Sequence, residues 1–355
     1  MRPLRIAYIL NVFPKVSETF IAYELAELRR RGVDLLVLSL REPTETLRHE
    51  IIRRAGLDSV TCYESSQFAQ RISEFRPHLI HAHFATEPAA AARDWAEQLG
   101  VPFTFTAHGY DIRRKAPPDL FQRALAARTV ITVSHANAEH MSRTFGIPSN
   151  RLRVIPCGVD TQLFCPVLNE SSSKNSPLIV CVARHVKVKN LGFLLRACAF
   201  LKARGVQFRC VSVGDGVCRS EFEEIHRKLS LENTFEFAGA LEHGQVLAWW
   251  KRADIAVLTS ENEGMPVSLM EAAACGVPAV APAVGGIPEL VQHEVTGLLT
   301  APGNLDGFSA ALQQLIEDPG RRVAMGGLAR SRVEQQFSLR RQVDSLLSLW
   351  TEVLR

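Results

Sequence analysis

The sequence lacks any long apolar run. Of its 355 residues 46% are hydrophobic and 22% are charged, and no apolar stretch approaches the roughly 18–20 residues that a membrane-spanning helix needs. We therefore expect a globular chain without a membrane span, and the composition excludes a fibrous or disordered one. The basic start leads through the apolar run 4–10 into Asn11-Val12-Phe13 without a small-residue cleavage site. This predicts a first strand and not a signal peptide.

The cysteines lack the spacing of a metal site. Eight are present, none of them in a Cys-x-x-Cys pair, and several lie within apolar segments. This placement is typical of reduced core cysteines in a cytosolic protein. We therefore expect no zinc site.

The chain has only a small excess of charge of one sign. The formal net charge is +4, and the whole excess falls in residues 1–165, which hold 21 Lys and Arg against 17 Asp and Glu. This small excess suggests an anionic partner for the first half of the chain. A nucleic-acid-binding surface usually shows clustered basic stripes, so we expect no nucleic-acid partner.

Short β-branched or Leu-rich runs alternate with amphipathic helical patterns, which predicts parallel sheets covered by helices on both faces. The first series of strands is predicted at residues 4–10, 33–40, 79–83, 103–107, 129–133 and 152–155, with helices at 17–31, 85–99 and 134–145. Polar residues 166–177 predict a linker. A second series of strands follows at 178–183, 208–212, 234–237, 255–258 and 279–281.

This pattern predicts an α/β fold with two doubly wound, Rossmann-like domains. Their predicted bounds are residues 1–165 and 178–337, joined by the linker 166–177. Ligands of such sheets bind beyond the carboxyl ends of the strands, so we expect an interdomain cleft where these ends face each other.

Two glutamates separated by seven residues mark the second domain. In the segment from Glu263 to Pro278, Pro266 suits the first helical position, and Gly276 suits the position just past the helix end. The free amides at this helix start, near Val267, would face a bound anion. The alternative is that Glu263 only caps the helix and that Glu271 lies on its solvated face.

Cations and glycines flank the same predicted helix start. Arg184 and Lys189 follow a predicted strand and open a helix, where a guanidinium fork and a lysine point charge suit a diphosphate. Downstream, Gly285 and Gly286 would let the backbone approach a ligand closely. Together these residues predict a diphosphate site beside the glutamate pair.

At these residues the chain resembles the retaining glycosyltransferases of the GT-B fold, specifically glycosyltransferase family 4. The resemblance covers nearly the whole chain, and the glutamate pair is its most specific part. It implies that Arg184 and Lys189 bind the donor diphosphate. It also implies that Glu263 contacts hydroxyls of the transferred sugar and that Glu271 binds the nucleotide ribose. The donor site implied in this way comprises Arg184, Lys189, Gly214, Asp215, Gly239, Glu263, Gly264, Met265, Val267 and Glu271.

Histidines mark the first domain. His108 follows a predicted strand. An isolated histidine at such a position is a hydrogen-bonded loop residue as often as it is a ligand-binding one. The resemblance implies that it contacts the donor sugar near the reacting carbon. His81 and His83 lie on one strand face and could suggest a metal pair, but without an evident third ligand we interpret them as strand-end packing.

The segment 11–21 joins the first strand to its helix, and Ser17 or Thr19 suits the helix cap. It lacks the double glycine of many family members and resembles the longer loop of bacterial enzymes that build exopolysaccharide or colanic-acid-type repeat units. The resemblance also matches residues 155–164 to the crossing between the domains. We expect the last helix, at about 338–355, to pack back on the first domain. The acceptor side is assigned to Asn11, Lys15, Ser17, Glu18 and Thr19.

The resemblance implies sugar transfer from a UDP- or GDP-sugar to an acceptor hydroxyl, with retention of configuration. A lipid-linked saccharide is the expected acceptor, bound by the N-terminal domain. The catalytic residues implied are His108, Glu263, Arg184 and Lys189. No Asp-x-Asp occurs in the sequence, so we expect neither a metal nor another cofactor, and the two cations and the helix amides would stabilise the leaving diphosphate.

Two other classes stay open: a nucleotide-sugar epimerase of the same fold, and a noncatalytic nucleotide-sugar-binding subunit. The expected location is cytoplasmic. We also expect peripheral contact with the anionic inner face of the cytoplasmic membrane, through basic residues such as Arg113, Arg114 and Lys115.

Overall fold

A computed structural model describes residues 3–166 and 176–355. The predicted linker, residues 166–177, falls almost entirely outside the described residues. The chain divides into two compact units, which we call the first unit (Met1–Gly158 and Leu339–Arg355) and the second unit (Val159–Ser338). Residues 159–165, which we expected in the first domain, therefore belong to the second unit.

The first unit contains a seven-stranded sheet and eight α-helices among its described residues. The strands are β1 (Arg5–Val12), β2 (Asp34–Arg41), β3 (Thr61–Cys62), β4 (Leu79–His83), β5 (Phe103–Ala107), β6 (Thr129–Thr132) and β7 (Leu152–Val154). The helices are α1 (Thr19–Arg30), α2 (Glu50–Arg54), α3 (Phe68–Phe75), α4 (Glu87–Leu99), α5 (Tyr110–Arg113), α6 (Leu120–Ala126), α7 (His135–Phe145) and, at the end of the chain, α15 (Leu339–Val353). The strand order is β3-β2-β1-β4-β5-β6-β7, and every pair is parallel.

In its described residues the second unit repeats this plan with six strands. They are β8 (Leu178–Val182), β9 (Arg209–Val213), β10 (Phe235–Gly239), β11 (Ile255–Val257), β12 (Ala279–Pro282) and β13 (Gly297–Thr300). The helices are α8 (Leu191–Ala203), α9 (Arg219–Lys228), α10 (His243–Trp250), α11 (Val267–Ala274), α12 (Ile287–Leu290), α13 (Leu305–Glu317) and α14 (Pro319–Gln336). The strands are all parallel, in the order β10-β9-β8-β11-β12-β13. In both units the order reverses beside the first strand, which is the doubly wound arrangement.

The structure confirms the predicted α/β fold class and contains all eleven predicted strands, with ends that differ by at most two residues. The sequence analysis missed β3, which has only two residues, and β13, which opens with Gly297. A Cβ at Gly297 would lie 2.4 Å from the carbonyl oxygen of Ala279. Glycine is depleted in strands, but here only glycine allows the two backbones to approach, so a propensity argument fails.

The core of the first unit lies on both faces of its sheet. Along β1, Ile6 and Tyr8 face one hydrophobic cluster, whereas Ala7 and Ile9 face the other, as the two-residue period of a strand requires. The last helix, α15, packs on α1 in the cluster that contains Ile6 and Tyr8, where its Trp350 is fully buried. Among the described residues, no helix combines the length and the apolar character that a membrane crossing requires.

Candidate active site

In the second unit, the loops that follow β8 and β9 are bonded to each other at the carboxyl edge of the sheet. The backbone N–H of His185 donates to the carbonyl of Asp215 over 2.8 Å. The N–H of Gly214 donates to the carbonyl of Gly239, at the end of β10, over 2.7 Å. Gly214 has φ +135°, and a Cβ there would lie 2.0 Å from the carbonyl oxygen of Ala183. Only glycine permits this approach.

The loop after β11 joins the same cluster through side chains. The hydroxyl of Thr259 donates to the carbonyl of Lys189 over 3.0 Å. The ammonium of Lys189 lies 2.5 Å from Oε1 of Glu263, and the hydroxyl of Ser260 donates to the same oxygen over 2.6 Å. The Glu263 side chain is only 9% exposed. Its charge is therefore neutralised by a fixed cation, which a carboxylate at this depth requires.

The predicted diphosphate ligands differ in exposure. Arg184 is exposed, whereas the Lys189 side chain is only 19% exposed and is paired with Glu263. Asp215 is exposed, and its carboxylate accepts the N–H of Gly216 over 2.7 Å. The structure thus brings Lys189 and Glu263 into contact, and it places Arg184 on the same loop without an ion pair to an acidic residue among the described side chains.

The turn into α11 lies beside Glu263. Gly264 is half-buried and Met265 is buried, and Pro266 is extended, so that the helix begins at Val267. We expected Pro266 as the first helical residue; it is the N-cap, and its carbonyl accepts the N–H of Leu269 over 3.0 Å. The N–H groups of Val267 and Ser268 precede the first bonded amide of the helix and carry the positive end of its dipole. At the other end, Gly276 is left-handed with φ +77°, as predicted for the residue past the helix.

The loop after β12, which contains Gly285 and Gly286, contacts the backbone of Glu263. The N–H of Gly286 donates to the Glu263 carbonyl over 3.1 Å, and a Cβ at Gly285 would lie 1.9 Å from that carbonyl oxygen. The backbone of Glu263 is therefore held by these glycines, while its side chain is held by Lys189 and Ser260.

Glu271 lies in the interior and not on a solvated helix face. It is 4% exposed. Its Oε1 lies 2.7 Å from Nε2 of His243, and its Oε2 accepts the indole N–H of Trp250 over 3.1 Å. The alternative that Glu271 lies on the solvated face of its helix is therefore wrong. The sequence analysis missed both partners, because nothing in their local pattern indicates a contact with a helix more than twenty residues further along the chain.

His185 is a further buried group beside Arg184. Its Nε2 lies 2.9 Å from the hydroxyl of Ser212, and its ring packs edge-on against Phe237. Burial, and next the positive charge of Arg219, lower the pKa of His185 to about 4. The ring is therefore neutral at pH 7 and supports the loop that carries Arg184.

In the first unit, the sheet reverses its order between β1 and β4, and His83 stands at the end of β4. Its Nδ1 lies 2.9 Å from Nε2 of His108, and its Nε2 lies 3.0 Å from Oε1 of Glu24. The His108 ring is half-buried and packs against Phe84, with ring centroids 4.7 Å apart. His108, the histidine predicted to contact the sugar, is therefore one end of a series of hydrogen-bonded side chains that continues through His83 to Glu24.

Asp111 fixes the turn that carries His108. Its carboxylate accepts the N–H groups of His108 over 3.0 Å, Gly109 over 2.9 Å and Ala85 over 2.8 Å. Burial raises the pKa of Asp111, and these hydrogen bonds oppose that rise. An acceptor inside the turn replaces the water that its amides would otherwise need.

Glu24 provides the third group that the sequence analysis did not find beside His81 and His83. One ligand atom from each of these residues lies within 4.8 Å of the others, which is close enough for a metal ion. Each group nevertheless has a protein partner: His81 contacts the hydroxyls of Thr104 and Thr106, and Glu24 is bonded to His83. We interpret the cluster as a hydrogen-bonded network.

The predicted acceptor residues lie between β1 and α1. Lys15 and Glu18 form an ion pair at 2.7 Å, and Asn11 has a buried Oδ1 without a hydrogen-bond partner. The helix begins at Thr19 with Glu18 at the N-cap position and no side-chain cap bond. The predicted cap by Ser17 or Thr19 is therefore wrong, because the loop backbone is held by other groups, including a bond from the N–H of Val16 to Glu45 over 2.7 Å.

The two-unit architecture matches solved glycosyltransferases over its whole length. The crystal structure of HepE from Anabaena in complex with UDP-glucose has a TM-score of 0.80 and 20% identity, covering 98% of this chain and all of that chain. Sucrose-phosphate synthase from Thermosynechococcus elongatus has the same TM-score and identity, with 99% of each chain covered. The fold is therefore the GT-B fold of glycosyltransferases.

Two family models match along the sequence. The model for glycosyltransferase family 4 matches residues 17–163, and the model for group 1 glycosyl transferases matches residues 169–332. The chain therefore contains a glycosyltransferase family 4 domain followed by a group 1 glycosyl transferase domain.

Curated relatives match over nearly the full length. The amylovoran biosynthesis glycosyltransferase AmsK of Erwinia amylovora is 24% identical, with 94% of this chain and 96% of the relative covered. The putative colanic acid biosynthesis glycosyltransferase WcaL of Escherichia coli is 27% identical, with 97% and 99% covered. These names agree with the resemblance seen in the loop between β1 and α1.

The contact between the Gly214 loop and Ala183 generates the first prediction. Gly214→Ala places a Cβ against a carbonyl and strains the backbone, so we expect a loss of about 2–4 kcal/mol in the free energy of unfolding, measured by urea denaturation. Gly244→Ala is the control, because Gly244 has no positive φ and a Cβ at that position would meet no atom within 4 Å. Equal stability of the two variants would contradict the close approach.

Proposed function

We propose that the chain transfers a sugar from a UDP- or GDP-sugar to an acceptor hydroxyl with retention of configuration and without a metal. The observation that carries this proposal is the pairing of Lys189 with Glu263 beside the amide-rich start of α11, with Arg184 on the adjoining loop. Two cations and a helix N-terminus suit a diphosphate, and a buried carboxylate beside them suits sugar hydroxyls.

The proposed reaction breaks the bond between the anomeric carbon and the diphosphate oxygen and forms a bond from the acceptor oxygen on the same face of the sugar. The acceptor's proton passes to the leaving diphosphate. Arg184, Lys189 and the α11 amides stabilise the negative charge that develops on the diphosphate. Glu263 holds the Lys189 ammonium in place and accepts hydrogen bonds from hydroxyl groups of the sugar. Glu271, oriented by His243 and Trp250, binds the ribose.

We further propose that the acceptor is a lipid-linked saccharide in the synthesis of a bacterial exopolysaccharide, on the cytoplasmic face of the membrane. The names of the amylovoran and colanic acid relatives support this assignment. HepE of Anabaena was solved with UDP-glucose, and a relative from Corynebacterium glutamicum, 28% identical, is named GDP-mannose-dependent. Both classes of donor therefore need to be tested.

The direct test incubates the protein with labelled UDP- and GDP-sugars and an extract of lipid-linked saccharides, with and without EDTA. We expect label to enter the acceptor with retained configuration and at an unchanged rate in EDTA. An isomerised donor would show an epimerase, and donor binding alone would show a noncatalytic subunit; either result contradicts the proposal. Loss of transfer in EDTA that manganese restores would contradict the metal-free reaction.

The cations generate a second prediction. Arg184→Ala and Lys189→Ala should each reduce turnover by roughly 10²–10³-fold, the scale for the loss of one electrostatic partner of the transition state. Lys187→Ala is the matched control, since Lys187 is an exposed cation of the same loop, and its turnover should stay within about twofold. Near-normal turnover of both test variants would rule out the diphosphate assignment.

The glutamates generate a third prediction. Glu263→Gln should reduce kcat by about 10- to 100-fold with little change in affinity for the free nucleotide diphosphate, because the sugar contact and the Lys189 pair are weakened. Glu271→Gln should instead weaken nucleotide binding, measured by calorimetry. Equal effects of the two variants on nucleotide affinity would show that this division of roles is wrong.

We propose that the membrane contact is made by residues 110–125. Arg113 is half-buried, and its guanidinium faces the side-chain oxygen of Asn137, so the exposed charges of the triplet are those of Arg114 and Lys115. Three large apolar side chains of the same segment are exposed: Tyr110, Phe121 and Leu125. Basic and apolar groups exposed on one short segment support weak, salt-sensitive binding to an anionic bilayer.

A fourth prediction tests this surface by liposome sedimentation. The protein should bind vesicles that contain phosphatidylglycerol at low salt and should dissociate as salt is added, because screening weakens exposed charge interactions. The double variant Arg114→Ser, Lys115→Ser should bind less. The matched control changes the same number of basic residues in the second unit, through Arg227→Ser and Lys228→Ser. Equal loss in both variants, or no binding at low salt, would exclude this surface.

A further inference from the structure

A buried carboxylate in the first unit has no role in the proposed donor chemistry. Glu24 lies on α1 and is 1% exposed. Its Oε1 accepts the hydroxyl of Tyr8 over 2.7 Å and contacts Nε2 of His83, and its Oε2 accepts the side-chain amide of Gln342 over 2.6 Å. An ionised carboxylate is costly in a core unless it is fully hydrogen-bonded. These three donors meet that requirement.

The orientation of the Gln342 amide is determined by the backbone. Its Oε1 accepts the N–H of Gly158 over 2.6 Å, so its NH₂ group is the one that faces Glu24. Glu24 therefore receives a donor from α15, one from β1 and one from β4. Since an ionised carboxylate only accepts hydrogen bonds, the proton between Glu24 and His83 belongs to Nε2 of His83.

The same reasoning assigns the next proton. In the neutral form of His83 that is protonated on Nε2, Nδ1 is an acceptor, and for this form we assign the proton in the 2.9 Å contact to Nε2 of His108. His108 then keeps a lone pair on Nδ1, to which no side chain or backbone group of residues 3–166 and 176–355 donates. Burial, and next the neighbouring His83, lower the pKa of His108 well below its usual value, so the ring is neutral at pH 7.

Packing fixes the plane of the same ring. The ring centroid of His108 lies 4.9 Å from that of Phe20 and 4.7 Å from that of Phe84, and the ring plane lies within 25° of that of His83. Asp111 holds its backbone N–H. The ring cannot turn over without breaking its bond to His83, so its tautomer and its orientation are set together.

We propose that Glu24, acting through His83, is a positioning residue that holds His108 as the Nε2–H tautomer, so that His108 Nδ1 accepts a hydrogen bond from a hydroxyl group of the bound saccharide. This assignment rests on the proposed sugar transfer for its ligand. The orientation of the histidine ring rests only on contacts within the first unit. A hydroxyl donor fits this nitrogen, whereas an anionic oxygen does not, because two acceptors would meet.

The first experiment reads the tautomer itself. In protein labelled with ¹⁵N-histidine, the His108 resonances are assigned by their loss in His108→Ala. We expect a protonated Nε2 and an unprotonated Nδ1 in the wild-type protein, and a change of this pattern in Glu24→Gln, whose amide can donate to His83. A protonated Nδ1 in the wild-type protein would overturn the proposal. This measurement needs no substrate, so it remains decisive even if the proposed transferase activity is not found.

The second experiment separates positioning from general stability. Glu24→Gln should lower kcat by about 10- to 100-fold, the scale of a small misplacement of a reacting group, with the Kd for the nucleotide diphosphate unchanged. Glu27→Gln is the matched control: Glu27 lies on the same helix and is also buried, but it pairs with Arg30 and Arg31. It should leave kcat within about twofold.

A double-variant cycle completes the test. In the His108→Ala background, Glu24→Gln should cause no further loss of kcat, because its effect passes through that ring. Additive losses, or an unchanged kcat in Glu24→Gln with the native melting temperature, would overturn the positioning role. If Glu24→Gln does not fold, the tautomer of the wild-type protein still decides the matter.

Discussion

Parallel pairing of β8 with β9 on one side and β11 on the other is the constraint on which the candidate donor site depends. All three strands point the same way, so the loops that leave them emerge at one edge of the sheet. Lys189 and Glu263 meet there although 74 residues separate them. Because parallel strands need crossover helices, the same pairing also places the start of α11 beside Glu263. The cation, the carboxylate and the helix amides are thus consequences of one topology.

Buried carboxylates, each held by two or more side-chain donors, are the second recurring feature. Glu263 receives Lys189 and Ser260, Glu271 receives His243 and Trp250, and Glu24 is bonded in the same way in the first unit. A half-satisfied buried charge would cost several kcal/mol, whereas a full set of donors makes it rigid. The carboxylates that we assign to sugar binding, to ribose binding and to the positioning of His108 are therefore all stabilised by a set of hydrogen-bond donors. Their orientations are set before any ligand binds.

Much of the fold was predictable from the sequence, because strand and helix periods are local. The buried strands at 79–83 and 103–107 have the predicted bounds, and the α/β class follows from the alternation. The predictions failed where a tertiary contact overrides propensity. Gly297 opens a strand because only glycine fits against Ala279, and α1 begins without the expected Ser17 or Thr19 cap because its preceding loop is bonded to Glu45.

The sequence by itself determined which residue types were available for chemistry: the Glu263–Glu271 spacing and the cations after β8 are visible in the chain, and the family resemblance rests on them. Only the tertiary structure decided what each group contacts. No local pattern connects Glu24 to His83 or to Gln342, which lies 318 positions away, and none buries Glu271 against Trp250. The reason is physical: periodicity reports which face of a helix or strand is buried, whereas a hydrogen-bond partner is chosen by the packing of elements that are distant in sequence.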